Sequence, residues 1–160
     1  MKKNILLVFF IVIILVSFQN CIIKFNEFGD DSVFYYLNDE PVVPVCSQGL
    51  RYNSLNVSLV NDTLRVHICG KTQIDYMLSR FRGKGLYRIN STSGNTCSAK
   101  VNYTSFNAID DGKTFFRILE IDTLKNHLSA VFEADLVDNS GHHLRITKGR
   151  MDVKFLYTDY

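Results

Sequence analysis

Leu128-Ser129-Ala130-Val131-Phe132-Glu133-Ala134-Asp135-Leu136 decides the fold. Leu128, Ala130, Phe132, Ala134 and Leu136 fall on one face, while Ser129, Glu133 and Asp135 fall on the other. A period of two is the signature of a strand, and an antiparallel sheet with one face on a core produces this alternation. Asp138-Asn139-Ser140-Gly141 follows as a turn cluster. Leu144 and Ile146 resume the pattern and Lys148-Gly149 breaks it. Met151, Val153, Phe155 and Tyr157 then alternate with Asp152, Lys154 and Leu156. A register slip of one residue would turn the whole apolar set to water, so the pairing is well specified.

The same pattern runs upstream. Leu55, Val57 and Leu59 alternate with polar neighbours, Asn61-Asp62 reads as a turn, and Leu64, Val66 and Ile68 return as a hairpin partner. Gly85-Leu86-Tyr87-Arg88-Ile89 reads as a strand and Ser91 to Asn95 as a polar loop. Between these lies an ambiguous stretch. Ile74, Met77, Leu78 and Phe81 match a helical template with Gly83 as its C-cap, while Ile74, Tyr76 and Leu78 fit a strand equally. The expectation is one all-β domain over residues 33–158. It is an antiparallel β-sandwich or partly open barrel of about eight strands. One short helix near 74–82 is the open alternative.

The N-terminus differs from this body. Lys2 and Lys3 precede an unbroken apolar run from Ile5 to Val16, which Ser17-Phe18 nearly extends. The run is shorter than the roughly 20 apolar residues a membrane-spanning helix needs, so residues 1–20 read as a signal peptide. Cys21 follows at once, where bacterial lipoproteins place the cysteine that is lipidated and becomes the new N-terminus. Phe18 and Asn20 stand where a lipobox usually has an aliphatic and a small residue. The alternative is a plain secreted protein with Cys21 an ordinary thiol. Residues 21–32 then form a short tether close to the bilayer. The expected location is the cell envelope, at the outer membrane or facing the periplasm, with the membrane as partner through the lipid anchor.

Composition bounds the rest. The chain has 160 residues, 46% apolar and 21% charged, which excludes a disordered tail, a collagen-like chain and a heptad coil. Lys plus Arg is 18 and Asp plus Glu is 16; residues 1–20 hold two lysines and no acid, leaving 16 against 16. A balanced domain has no electrostatic case for nucleic acid.

Residues that carry chemistry are sparse. Besides Cys21 there are Cys46, Cys69 and Cys97. With Cys21 lipidated, one disulfide plus one buried thiol is the natural arithmetic in an oxidising compartment; with Cys21 free, three complete pairings exist; three buried thiols are the third option. No CxxC spacing supports zinc or redox chemistry. His142-His143 would point to opposite faces of a strand, and His67 would lie on the solvent face, so no metal site is expected. No GxSxG elbow, Cys-His signature or phosphate loop occurs. Glu120, Asp122, Glu133 and Asp135 are the only candidates for a carboxylate hydrolase. Phe34, Tyr35, Tyr36, Tyr103, Phe115 and Phe116 are candidates for a ligand-binding surface, with core packing as the plainer reading. The sequons at Asn56, Asn61, Asn90 and Asn102 would be accidental in a bacterial protein.

The C-terminal half resembles a known group. Asp111-Gly112-Lys113, Ile118 to Asp122, His127 to Ala134 and Ile146-Thr147-Lys148-Gly149-Arg150-Met151-Asp152-Val153 are similar to uncharacterised lipoproteins of the Bacteroidetes lineage. Ala130 and Met151 stand where that group has Gly and Phe. Tyr36 to Pro41 resembles its early hairpin, with Asp39 for Gly, and Gly85 to Ile89 resembles one of its strands. The resemblance implies an exported all-β domain and transfers no activity. Asp31-Ser32-Val33, Asp62-Thr63-Leu64 and Asp122-Thr123-Leu124 also resemble that lineage's O-glycosylation triplets. Gly149 is read as permitting a positive φ or bulge before the last strand. The expected role is a non-enzymatic accessory or binding protein without cofactor, its protein or glycan partner undetermined. A barrel carrier for a small apolar ligand is the alternative, and a hydrolase the third.

Overall fold

Alternation and turn chemistry together lay out the chain. The computed structural model describes residues 31–44, 55–154 and 156–157. In order come β1 (Asp31–Leu37), β2 (Glu40–Val42), β3 (Leu55–Val60), β4 (Thr63–Ile68), β5 (Thr72–Leu78) and β6 (Gly85–Arg88). The second half holds β7 (Thr96–Val101), β8 (Thr104–Ala108), β9 (Phe115–Asp122), β10 (His127–Val137), β11 (His143–Lys154) and β12 (Leu156–Tyr157). Three hairpin turns place two consecutive residues at positive φ: Asn38-Asp39, Asn61-Asp62 and Asn102-Tyr103. That is the turn whose twist matches paired strands, and Asn tolerates it best after Gly.

The strands form one curled sheet, a half-barrel, in the order β12-β3-β4-β5-β7-β8-β10-β11-β1-β2. β10 is its branch point. Its first seven residues pair with β9, which in turn pairs with β6, and its last two pair with β8. β12 follows directly on β11 and pairs in parallel with β3 from the other end of the order.

The stretch 72–78 is strand β5, and no helix occurs among the described residues. Ile74, Tyr76 and Leu78 are buried and alternate with Gln73, Asp75 and Met77. Backbone pairing decides against the helix. β5 bonds β4 on one side and β7 on the other, and a helix there would strip both neighbours of their ladder. Phe81 lies beyond the strand, its ring stacked on that of Tyr87 at 5.6 Å.

The inner face is filled by aromatic rings. Tyr76 lies 5.0 Å from Phe116 and 5.6 Å from Phe132, and Phe132 lies 5.9 Å from Phe116 and 6.3 Å from Tyr35. All four are almost wholly buried, as are Leu64, Ile68, Leu128 and Ile146 around them. Each fully buried large side chain contributes roughly 1.5–3 kcal/mol relative to exposure.

The Lys148-Gly149 break is a bulge inside β11. Phe132 pairs with Gly149 and Ala134 with Ile146, so Glu133 faces two residues instead of one. The positive φ belongs to Lys148, at 51°. Gly149 serves a different need: a Cβ there would fall 2.6 Å from the Phe132 carbonyl oxygen and closer still to its ring.

Candidate functional site

Outward side chains of β6, β9, β10 and β11 meet in cross-strand rows. Leu86 pairs with Arg117, Arg117 with Val131, and Val131 with Arg150. Paired residues share a face, so the four stand side by side on the outside of the half-barrel. The next row sets Arg88 against Phe115 and Phe115 against Glu133. A third sets Asp135 against Arg145, whose backbone N–H donates to Asn38 Oδ1 at 2.9 Å. Residues of all three rows line a depression of about 300 Å³.

Cations outnumber acids in this depression. Arg88, Lys113, Arg117 and Arg145 line it against Glu133 and Asp135. The two acids are engaged. Asp135 accepts from His143 Nδ1 at 3.2 Å and lies 3.9 Å from Lys113 Nζ, while Glu133 Oε1 accepts the Lys148 backbone N–H at 3.5 Å. Arg88 Nη1 donates to the Gly112 carbonyl at 2.9 Å. Positive charge is therefore gathered in this depression, beside the apolar Leu86 and Phe115.

The carboxylate candidates separate accordingly. Glu133 and Asp135 share the depression. Asp122 sits in the β9–β10 turn, accepting the backbone N–H groups of Leu124 and Lys125 at 3.0 Å each. Those bonds, the one from Lys125 foremost, hold its carboxyl below the usual carboxylate value. Glu120 pairs with Ser129 at the other end of β10.

All four histidines stand against aspartates: His67 with Asp75 at 2.7 Å, His142 with Asp138 at 2.8 Å, His143 with Asp135, and His127 with Asp152. Among the described residues no group of three potential metal ligands converges. Of the aromatics, Tyr35 and Phe116 point inward, and Phe34 and Tyr36 pack edge to face outside at 5.3 Å. Lys148 Nζ lies 5.0 Å over the Tyr36 ring. Tyr103 projects from its turn almost fully exposed.

Cys69 is disulfide-bonded, and Cys97 is a free, buried thiol opposite Tyr76 in the β5–β7 ladder. Burial pushes the Cys97 thiol up to about 12 and raises Tyr76 well above 10. Tyr76 Oη also donates to the Glu133 carbonyl at 3.3 Å. The signal segment 1–20, Cys21, Cys46 and nearly all of the tether lie outside the described residues.

The arginine face was not legible as a site in the sequence, because Leu86, Arg117, Val131 and Arg150 come from four strands. Only a register can bring them together, and the single signal was their outward parity within each strand. No protein-family model matches the chain, and neither a curated protein nor a solved structure matches it.

Proposed function

We propose that this chain is an exported, lipid-anchored protein of the cell envelope with a non-enzymatic binding role, and that it binds through the outer face of β6, β9, β10 and β11. The observation that carries the reading is the contrast between the two faces of the sheet. The inside, where a carrier would hold an apolar ligand, is occupied by Tyr35, Tyr76, Phe116 and Phe132. The outside gathers four cations and two apolar side chains around a depression. Support for the anchor is the basic pair, the apolar run and Cys21 at its end. Several acyl chains at Cys21 would hold the protein at the membrane, so the domain needs no greasy face of its own.

Metabolic labelling with a palmitate analogue tests the anchor. Label is expected on the wild-type chain in the membrane fraction and lost in Cys21→Ser. Label retained by that variant removes Cys21 as the lipid site, and an uncut chain in the cytoplasm removes the export reading with it.

A further inference from the structure

The Leu86–Arg117–Val131–Arg150 row has a repeat. Apolar and cationic side chains alternate from strand to strand across β6, β9, β10 and β11. Neighbouring strands lie about 4.8 Å apart, so the two guanidinium groups recur with a period of about 10 Å. Arg117 and Arg150 are exposed, and neither makes an ion pair among the described residues. Leu86, at 42% exposure, is among the large apolar side chains left open to water.

We propose that this row binds an acidic polysaccharide in which uronate and uncharged sugars alternate, laid across the strands. An extended glycan advances one pyranose ring in nearly the distance that separates two strands, so each strand meets one sugar. A uronate carboxylate on Arg117 and another on Arg150 are each met by planar donors in fork geometry. The intervening uncharged sugar lies on Val131, and its neighbour on Leu86. Of the depression's other cations, Arg88 stands one row away and Arg145 two, and both raise the local potential for the same charge. An acidic peptide fits less well, because residues along an extended chain advance by about 3.4 Å and miss the strand spacing.

The proposal rests on the binding reading above. Its test uses the full chain purified in mild detergent, so it is indifferent to whether Cys21 is lipidated. Titration calorimetry is run with an unsulfated chondroitin hexasaccharide, an oligogalacturonate of equal length, a neutral glucan oligosaccharide and a poly-glutamate peptide. The alternating hexasaccharide is expected to bind and the neutral glucan not to bind. The oligogalacturonate, charged at every ring, and the peptide are expected to bind at least about tenfold more weakly, since they set charge against Leu86 and Val131. Arg117→Gln and Arg150→Gln should each weaken the alternating ligand by about tenfold or more, with Arg65→Gln on β4 as an unaffected control. Circular dichroism checks that each variant keeps its fold. Equal binding of the peptide or the oligogalacturonate overturns the proposal. So does hexasaccharide affinity unchanged in both arginine variants, or no affinity in the folded wild type.

Discussion

The ring of Phe132 on β10 fills the space that Gly149, its partner on β11, leaves by having no side chain. The bulge at Lys148 sets the two strands so close there that a methyl group meets both ring and backbone. Gly149→Ala is expected to destabilise the fold by about 1–3 kcal/mol, the usual cost of overpacking. Urea denaturation reads it directly, with exposed Thr123→Ala as the comparator. An unchanged midpoint would mean the strands part there at no cost.

Tyr35 and Tyr76 are both buried, but only one hydroxyl is satisfied. Tyr76 Oη reaches the Glu133 carbonyl, while Tyr35 Oη has no partner among the described residues. A buried unpaired hydroxyl costs about 1–3 kcal/mol, and a made bond contributes about 1 kcal/mol. Tyr35→Phe should therefore leave stability unchanged or raise it, and Tyr76→Phe should lower it. Two thermal melts decide the matter, and the same sign for both would show that the hydroxyls do not distinguish the sites.

Alkali should unfold the protein progressively. Burial raises the Cys97 thiol from 9.0 to about 12 and the Tyr35 hydroxyl from 10.0 to about 12. In the unfolded chain both groups lose their protons earlier, so that state is favoured as pH rises. Stability is full below pH 9 and declines between about pH 9 and pH 12, by up to about 1.4 kcal/mol per pH unit for Cys97. Cys97→Ala should flatten the first part of that decline in denaturation curves taken at stepped pH. A slope identical to wild type would locate the sensitivity elsewhere.

Acid should first loosen a turn. Asp138 Oδ1 accepts the backbone N–H groups of Ser140 and His142 at 2.8 Å each, and Oδ2 meets His142 Nδ1. The His142 contact chiefly, with these amides, holds the carboxyl below its usual 3.8. A depressed carboxylate stabilises above its unfolded value and ceases to as pH falls through the folded one. Protection of the Ser140 and His142 amides against hydrogen exchange, relative to an unstructured peptide at the same pH, should thus fall below about pH 4. Asp138→Ala should show the same loss of protection at neutral pH.

The strands with clean alternation were legible in the sequence: β3 and β4, and most of β10 and β11, carry large apolar residues at every second place. The hairpin β7–β8 was not, because its inward positions are Cys97, Ala99 and Phe106, too small or too few to stand out as a period. β2 and β12 are three and two residues long, too short for any pattern, and account for part of the excess over about eight strands. At 72–78 the side chains fitted two templates, and only the vacant ladders of β4 and β7 chose between them. The break at Lys148-Gly149 was legible as a bulge, but the close approach that excludes a side chain at Gly149 was not. A sequence displays the freedom of a residue's backbone, but not the ring that comes to rest on it from another strand.

The pairing of Asp31 with Val153 joins residues far apart in the sequence. β1 has no neighbour on that side until β11 has been made, and closing so long a loop is slow. Of the four central rings, Tyr76, Phe116 and Phe132 precede β11 in the chain, and Tyr35 takes its place against Phe132 only when β1 docks.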